Sequence, residues 1–199
     1  MRAYYRFQAK IYDATRWAFL FGRNAVLKQL PVRNDREQHL LEVGCGTGHN
    51  LRLLAEEFPN LQLTGLDVSK DMLEQAGKAV LPFRQRVSLV EQAYGAAPAL
   101  PRPDFILFSY ALTMFNPGWE QAILHARADL PEGGRIAVVD FHYTPSGVFR
   151  WWMGKNHVRM DEHLVPFLQS QFRTELLEIT PAWLGLWRYF VYVGVKTGV

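Results

Sequence analysis

Two carboxylates and three glycines carry the first legible chemistry. Glu42 closes an apolar run, His39-Leu-Leu-Glu-Val43, and the chain then passes Gly44-Cys-Gly-Thr-Gly48 before a helical segment. Glycines at alternate positions permit a tight turn and let a ligand lie against backbone where a Cβ would stand. The spacing is G-x-G-x-G; the dinucleotide fingerprint, G-x-G-x-x-G, would need glycine where His49 stands. About 25 residues beyond Glu42, Asp67 closes a second apolar run. A carboxylate there can accept both hydroxyls of a ribose. The residues therefore point to a nucleoside-like ligand. Cys45, inside the turn, reads as a small residue near that ligand. A catalytic thiol is disfavoured because a nucleophile needs an activating base beside it.

The elements that must position these residues alternate strand with helix. Leu40–Val43 is the first strand, Leu51–Phe58 the helix after it, and Leu61–Leu66 the second strand. Ser69 makes an N-cap for a helix over Lys70–Val80, with Pro82 shortly after. Val87–Val90, Phe105–Ser109 and Arg135–Asp140 are further strands, and Trp119–Asp129 is a helix closed by Pro131-Glu-Gly-Gly134. Such alternation is the signature of a parallel sheet covered on both faces, with ligands beyond the carboxyl ends of its strands. Residues 1–30 read as one or two helices, with Tyr4, Phe7, Ile11 and Ala14 on one side, a break at Gly22 and an end at Leu30-Pro31. Residues 145–165, rich in aromatics, read as an insertion or lid, and Pro166–Phe172 as a helix. Thr174–Ile179 and Trp187–Lys196 complete the pattern as a hairpin around Pro181–Leu186. In the latter strand, the odd positions of residues 187–195 suit a half-buried sheet.

Composition excludes several classes. The 199 residues suit one well-packed domain, and 49% apolar with 21% charged residues is ordinary for a globular chain. No apolar run approaches the roughly 18 to 20 residues that span a bilayer. Met-Arg-Ala-Tyr-Tyr lacks the uninterrupted apolar core of a signal peptide, and a lone cysteine leaves no intramolecular disulfide, so a cytoplasmic location is expected. The net charge of +3 is uneven: residues 1–36 hold eight Lys and Arg against Asp13 and Asp35, a local +6, which leaves −3 for the remainder. Seven aromatic residues lie in the same segment, from Tyr4 to Phe21. A basic, aromatic segment over residues 1–23 suits nucleic acid or an anionic membrane surface, the latter making the protein peripheral at the inner face of the cell membrane; a solvated cap helix is the plainer alternative.

Glu42-x-Gly-x-Gly-x-Gly48, Leu63-Thr-Gly-Leu-Asp67 with Ser69 and Met72, Asp104-Phe-Ile-Leu-Phe108 and Pro131-Glu-Gly-Gly-Arg-Ile136 resemble successive motifs of the class I S-adenosylmethionine-dependent methyltransferases. The resemblance covers roughly residues 37–143. It implies a Rossmann-like α/β fold with a seven-stranded, mostly parallel sheet. Residues 1–36 would be an N-terminal helical cap, and 37–199 the cofactor-binding core with a lid-like insertion over about 141–172. It implies S-adenosyl-L-methionine as cofactor. Gly44, Gly46 and Gly48 would approach its methionine and ribose, Glu42 would face its amino group, Asp67 its ribose hydroxyls, and Val68 with Met72 its adenine. The family often places an acid after strand three to bind the adenine amine. This chain has Glu91-Gln-Ala-Tyr94 there, so Gln92, next to Ala93, takes that place, and Ser109 would line the methyl donor.

The flanks resemble a narrower family, the bacterial methyltransferases that trimethylate diacylglyceryl-homoserine to a betaine lipid. Tyr4-Tyr-Arg-Phe-Gln-Ala-Lys-Ile-Tyr-Asp-Ala-Thr-Arg16 with Phe21-Gly-Arg23, Val138-Val-Asp-Phe-His142, and Trp152-Met-Gly-Lys-Asn-His-Val-Arg-Met-Asp-Glu-His163 carry that likeness. It implies a lipid-headgroup amine as acceptor. An amine must lose its proton before it can attack a sulfonium methyl, and its quaternary product is held well by aromatic faces. Tyr5 and Tyr12, with Tyr4, Trp151 and Trp152, are candidates for such faces, and His142 for accepting the proton or orienting the acceptor. Each has core packing as its plainer role. No metal is expected: His157 and His163 match no standard zinc spacing, and alkyl transfer from a sulfonium needs no Lewis acid. Rival readings are methylation of a soluble small molecule at N, O or C, and a cofactor-binding protein without catalysis. Nucleic acid is disfavoured because Ser109-Tyr-Ala-Leu-Thr113 stands where an Asn/Asp-Pro-Pro-Tyr type of motif would.

Overall fold

The computed structural model describes residues 19–96, 100–156 and 158–198. Its centre is a seven-stranded sheet in the order β3-β2-β1-β4-β5-β7-β6. The strands are β1 (Gln38–Val43), β2 (Leu61–Asp67), β3 (Val87–Glu91), β4 (Phe105–Ser109), β5 (Arg135–Tyr143), β6 (Arg173–Ala182) and β7 (Trp187–Val195). β1 to β5 run parallel, and β7 runs antiparallel between β5 and β6. The helices are α1 (Arg23–Lys28), α2 (His49–Glu57), α3 (Lys70–Ala79), α4 (Trp119–Asp129), α5 (Gly147–Lys155) and α6 (Leu164–Gln171).

Alternation along β1 shows how the sheet acquires two cores. Successive side chains of a strand point to opposite faces. Leu40 joins the core formed with Val26 and Leu27 of α1 and Leu51 and Leu54 of α2. Leu41 and Val43 join the core on the other face, with Ile123 and Ala126 of α4 and Leu168 of α6. By the same parity Glu42 shares the α2 face with Leu40.

The β6–β7 hairpin lies where the turn residues predict it, with Ala182 paired to Trp187 across a short 3₁₀ turn, Trp183–Gly185. β7 is more deeply covered than a half-buried strand. Phe190 and Tyr192, at its even positions, are as buried as Val191 and Val193. The cause is its interior place in the sheet together with α6, since the Tyr192 hydroxyl donates to the carbonyls of Leu168 and Phe172 at 3.3 Å.

Within residues 141–172, β5 runs on to Tyr143 and α6 presses Leu164, Val165 and Leu168 into the second core. α5 is capped by Ser146, whose Oγ accepts from the Phe149 N–H at 3.2 Å. Its Phe149 and Met153 face the first core, while Val148, Trp151 and Trp152 are exposed. No described helix is long and apolar enough to cross a membrane.

Candidate active site

The carboxyl ends of β1, β2 and β4 bring most of the expected ligand residues together. Glu42 stands opposite Gly65 of β2 and Leu107 of β4. The turn after β1 is tied to β2, because the N–H groups of Gly44 and Cys45 both donate to the Leu66 carbonyl, at 2.8 and 3.0 Å. Gly44, Gly46 and Gly48 all adopt left-handed backbone, with φ of 73°, 55° and 75°, a conformation that side chains with a Cβ adopt at a cost.

Two of these glycines answer to the protein's own packing. A Cβ on Gly44 would stand 2.9 Å from the Ala111 Cβ, and one on Gly48 3.0 Å from the Ala76 Cβ. The turn is wedged between the loop after β4 and helix α3. Gly46, between the two, donates its N–H to Asp67 Oδ2 at 2.9 Å.

Asp67 thus organises the turn. Its other oxygen, Oδ1, accepts the N–H of Ser69 at 2.9 Å, and Ser69 in turn caps α3 by accepting from the Met72 N–H at 3.4 Å. A carboxylate has about four acceptor positions, so these two bonds leave capacity for two hydroxyl donors. Val68, 70% exposed, and half-buried Met72 flank it as an apolar shelf. Gln92 is held close, its N–H donating to the Asp67 carbonyl at 3.2 Å, and Ala93 beside it is exposed.

Glu42 is buried, and Asn50 Nδ2 donates to its Oε1 at 2.6 Å. Asn50 lies in the first turn of α2, the helix that covers the Glu42 face, and sequence reasoning missed it. The available signal was an amide eight residues past an expected ligand acid, at the start of the helix that the glycine turn opens. Asn50 Oδ1 is buried with no hydrogen-bond partner among the described residues, and so is Ser109 Oγ at the end of β4. Buried polar atoms without partners are uncommon, and both stand at the strand ends where a ligand binds. α2 begins at Gly48 without a side-chain cap, so its first N–H groups also suit an anionic group.

Cys45 turns away from this edge. Its Sγ lies 2.9 Å from where a Cβ on Gly65 would stand, within the α2-side core. Burial, helped by the charges of Glu42 and Asp67, pushes its thiol far above the ordinary range. Its contribution to the edge is backbone.

His142 does not join the cluster at β1 and β2. It lies near the end of β5, on the α6 face with Asp140, its ring centroid 5.8 Å from that of Phe190 and its Nε2 3.9 Å from Glu162 Oε1. Burial holds its pKa below the ordinary value, with Glu162 opposing and Arg188 reinforcing. Tyr5 and Tyr12 lie outside the described residues, as does His157. His163 pairs through Nδ1 with Asp161 and packs edge-on against Trp119 at 4.7 Å. Among the described residues no three His, Cys, Asp or Glu side chains gather as a metal site.

The loop after β4 carries two further features that the sequence did not disclose. Tyr110 holds left-handed backbone at φ 57°, buries its ring 4.8 Å from Phe141, and donates its hydroxyl to the Phe21 carbonyl at 2.7 Å. Phe21 continues the contact, its ring 6.1 Å from Tyr189 and 6.2 Å from Trp187. An aromatic path therefore runs from the end of β4 towards α5 and the β6–β7 turn.

Asp140, fully buried, accepts from the Thr113 hydroxyl at 2.5 Å, the Thr113 N–H at 3.1 Å and the Phe141 N–H at 2.8 Å. Burial outweighs these bonds and raises its pKa to about 6. Because the folded value lies above the unfolded one, near 3.9, the stability linked to Asp140 is full below that value. It is lost as pH rises through about 6, by up to about 3 kcal/mol. Asp140→Asn is expected to remove this dependence. Urea denaturation across that pH window checks it, and parallel curves for the two proteins would refute the coupling.

Residues 40–134 match the family model described as a methyltransferase domain. Trans-aconitate 2-methyltransferase of Paracidovorax citrulli is 34% identical over 113 residues, which are 57% of this chain and 42% of that protein. Malonyl-[acyl-carrier protein] O-methyltransferase of Priestia megaterium is 37% identical over 83 residues, 41% of this chain and 30% of that one. The chain thus spans less than half the length of these curated relatives. Among solved structures, phosphoethanolamine N-methyltransferase 2 of Haemonchus contortus, holding phosphomonomethylethanolamine and S-adenosylhomocysteine, superposes with a TM-score of 0.79. It is 18% identical, over 97% of this chain and 59% of that one. The N-methyltransferase NodS of Bradyrhizobium japonicum, with S-adenosylhomocysteine, superposes with a TM-score of 0.70 at 17% identity, over 89% of this chain and 88% of that one. These likenesses show the class I methyltransferase fold.

Proposed function

We propose, on the premise of a class I methyltransferase fold and a methyltransferase-domain match over residues 40–134, that this chain transfers methyl groups from S-adenosylmethionine to an amine. The amine is the headgroup of a lipid, of the diacylglyceryl-homoserine kind, reached from the cytoplasmic face of a membrane. The cofactor side of this reading rests on one arrangement: Glu42 and Asp67 flank a left-handed glycine turn, with orphaned buried acceptors at Asn50 and Ser109 beside them.

The residues present fit that cofactor. Asp67 would accept the two ribose hydroxyls, and Glu42 with Asn50 Oδ1 would accept from the amino group. Val68, Met72, Gln92 and Ala93 would border the adenine, and Ser109 the methyl-bearing end. Bound S-adenosylmethionine supplies an electrophilic methyl on a sulfonium.

On the acceptor side, an amine is favoured by the likeness to two solved N-methyltransferases, one of them holding phosphomonomethylethanolamine. Aromatic faces hold ammonium groups, and increasingly methylated ones, without hydrogen bonds. Attack requires a neutral nitrogen, so burial of the acceptor on entering the site would favour loss of its proton. His142 is set against Phe190 on the α6 face, apart from the Glu42 side, and is not the proton acceptor in this reading. Tyr5 and Tyr12 are proposed as acceptor-side rings on the family resemblance alone.

A second reading has its own support. The curated relatives are named for methylating trans-aconitate and malonyl-acyl-carrier protein, which favours an O-methyltransferase of a carboxylate. One experiment separates the two. Purified protein, methyl-labelled cofactor and either an extracted lipid mixture or a set of soluble amines and carboxylates are incubated, and the products are identified by mass spectrometry. Label in lipids whose headgroups gain one to three methyls is the expected result. Label only in a soluble methyl ester would overturn the amine reading, and no transfer to any acceptor would overturn catalysis.

A further inference from the structure

We propose that α5 and the β6–β7 turn together form a docking surface for an anionic lipid bilayer. The proposal deepens the lipid reading above by naming the face that meets the membrane, and it rests on that reading for its biological sense. Residues 147–155 and 183–187 carry three features that suit such a surface.

First, the surface is apolar and exposed where solvent should disfavour it. On α5, Val148 is 80% and Trp151 64% exposed; on the turn, Trp183 is 50% exposed and Leu184 wholly so. Single exposed apolar residues are ordinary, but contiguous ones mark an interaction site. Here they share one foundation. Phe19 and Phe149 both stack on Trp187, at 5.4 and 5.3 Å, Phe149 lies 5.8 Å from Trp152, and Phe21 meets Trp183 at 6.4 Å. The Thr144 hydroxyl, just before α5, donates to the Leu186 carbonyl at 2.7 Å and ties the turn to the helix.

Second, the turn holds backbone strain. Trp183 and Leu184 adopt left-handed backbone at φ 45° and 56° before Gly185 at 90°. Consecutive left-handed residues with a Cβ are costly and persist where surroundings or function demand them. The result of this conformation is a leucine held out into solvent.

Third, the charge suits an anionic surface. Residues 147–155 and 183–188 contain no Asp or Glu, while they hold Arg150, Lys155 and Arg188. Arg150 lies 5.5 Å over the Tyr143 ring and Lys155 4.9 Å over Trp151. A cation above an aromatic body matches the depth profile of a membrane interface, where rings sit at headgroup level and cationic heads reach phosphate. Of the carboxylates that flank α5 in sequence, Asp140 is fully buried and Asp161 is paired with Arg159 at 2.7 Å.

The test uses the full chain, with its basic N-terminus intact in every arm, and co-sedimentation with vesicles of phosphatidylcholine alone or mixed with phosphatidylglycerol. Neither cofactor nor acceptor lipid is present, so the outcome is independent of the methylation reading. Wild type is expected to bind the mixed vesicles at least tenfold better than the neutral ones. Val148→Asp, at the start of α5 where an acid suits the helix end, is expected to lose most of that binding without loss of melting temperature. Leu184→Gly is the sharper variant: it should bind at least tenfold more weakly yet melt at a higher temperature, because glycine relieves the left-handed strain. A merely structural leucine would give the opposite shift in melting. Unaltered vesicle binding by both variants would overturn the proposal. So would a fall in molar mass by light scattering for the variants without any vesicle binding by wild type, which would make the face a contact between two copies. Methyl transfer to detergent-dispersed lipid that persists in either case would leave the lipid-acceptor reading standing while this surface falls.

Discussion

Asp67→Ala is expected to weaken binding of S-adenosylhomocysteine by roughly a hundredfold or more, with the fold retained. Hydrogen bonds to a charged acceptor contribute about 1.5 to 3 kcal/mol each, so losing two hydroxyl contacts removes about 3 kcal/mol or more of binding free energy. The loss has a second source. Asp67 also receives the Gly46 and Ser69 N–H groups, so its removal loosens the glycine turn and the entry to α3. Asp67→Asn separates the two sources, since it keeps the volume but turns one acceptor into a donor facing N–H or hydroxyl groups. Isothermal titration calorimetry provides the affinity, and circular dichroism the control for folding. An unchanged affinity in a folded Asp67→Ala protein would remove Asp67 from the ligand site.

Gly65→Ala is expected to cost about 1 to 3 kcal/mol of stability, which for a chain of this size lowers the melting temperature by several degrees. A Cβ at position 65 would stand 2.4 Å from Leu51 Cδ1, 2.9 Å from Cys45 Sγ and 3.0 Å from Leu89 Cδ2. Leu51 is fully buried, so it cannot swing into solvent to make room. Leu51 and Cys45 belong to α2 and to the glycine turn, and the strain should therefore also reach ligand affinity. Adding Leu51→Ala to Gly65→Ala tests this by a double-mutant cycle: less than the sum of the two single losses is expected, because the smaller residue frees the space. Strict additivity would show that the methyl group at position 65 does not press on Leu51.

How far the site could be read before its geometry was known depends on the kind of signal. Glu42, the glycine turn, Asp67 and the Ser69 cap are local patterns: an acid at a strand end, a turn that needs left-handed backbone, a side chain that receives an N–H three residues on. Their spacing along the chain is their spacing in the site, to within a turn. Asn50, Thr113 and Asp140 carry no such mark. Each matters through a partner brought to it by the sheet: Asn50 by the helix that folds over the Glu42 face, and Thr113 by the pairing of β4 with β5. His142 shows the reverse. Its place after a strand invited a role, yet strand parity directs it with Asp140 to the α6 face, away from the Glu42 side.

What the residue order by itself determined was the succession of elements and the glycine turn, because periodicity, capping and left-handed glycines are properties of neighbours in the chain. The tertiary structure decided the rest. It inserted β7 between β5 and β6, which buried both faces of a strand whose pattern suggests one. It set Gly44 and Gly48 against Ala111 and Ala76, so that the turn is shaped by packing. It also gathered Phe19, Phe149 and Trp187, far apart in sequence, under an exposed row of tryptophan and leucine. The physical reason is common to all three: burial and contact are settled between segments, and no window of sequence contains both sides of a contact.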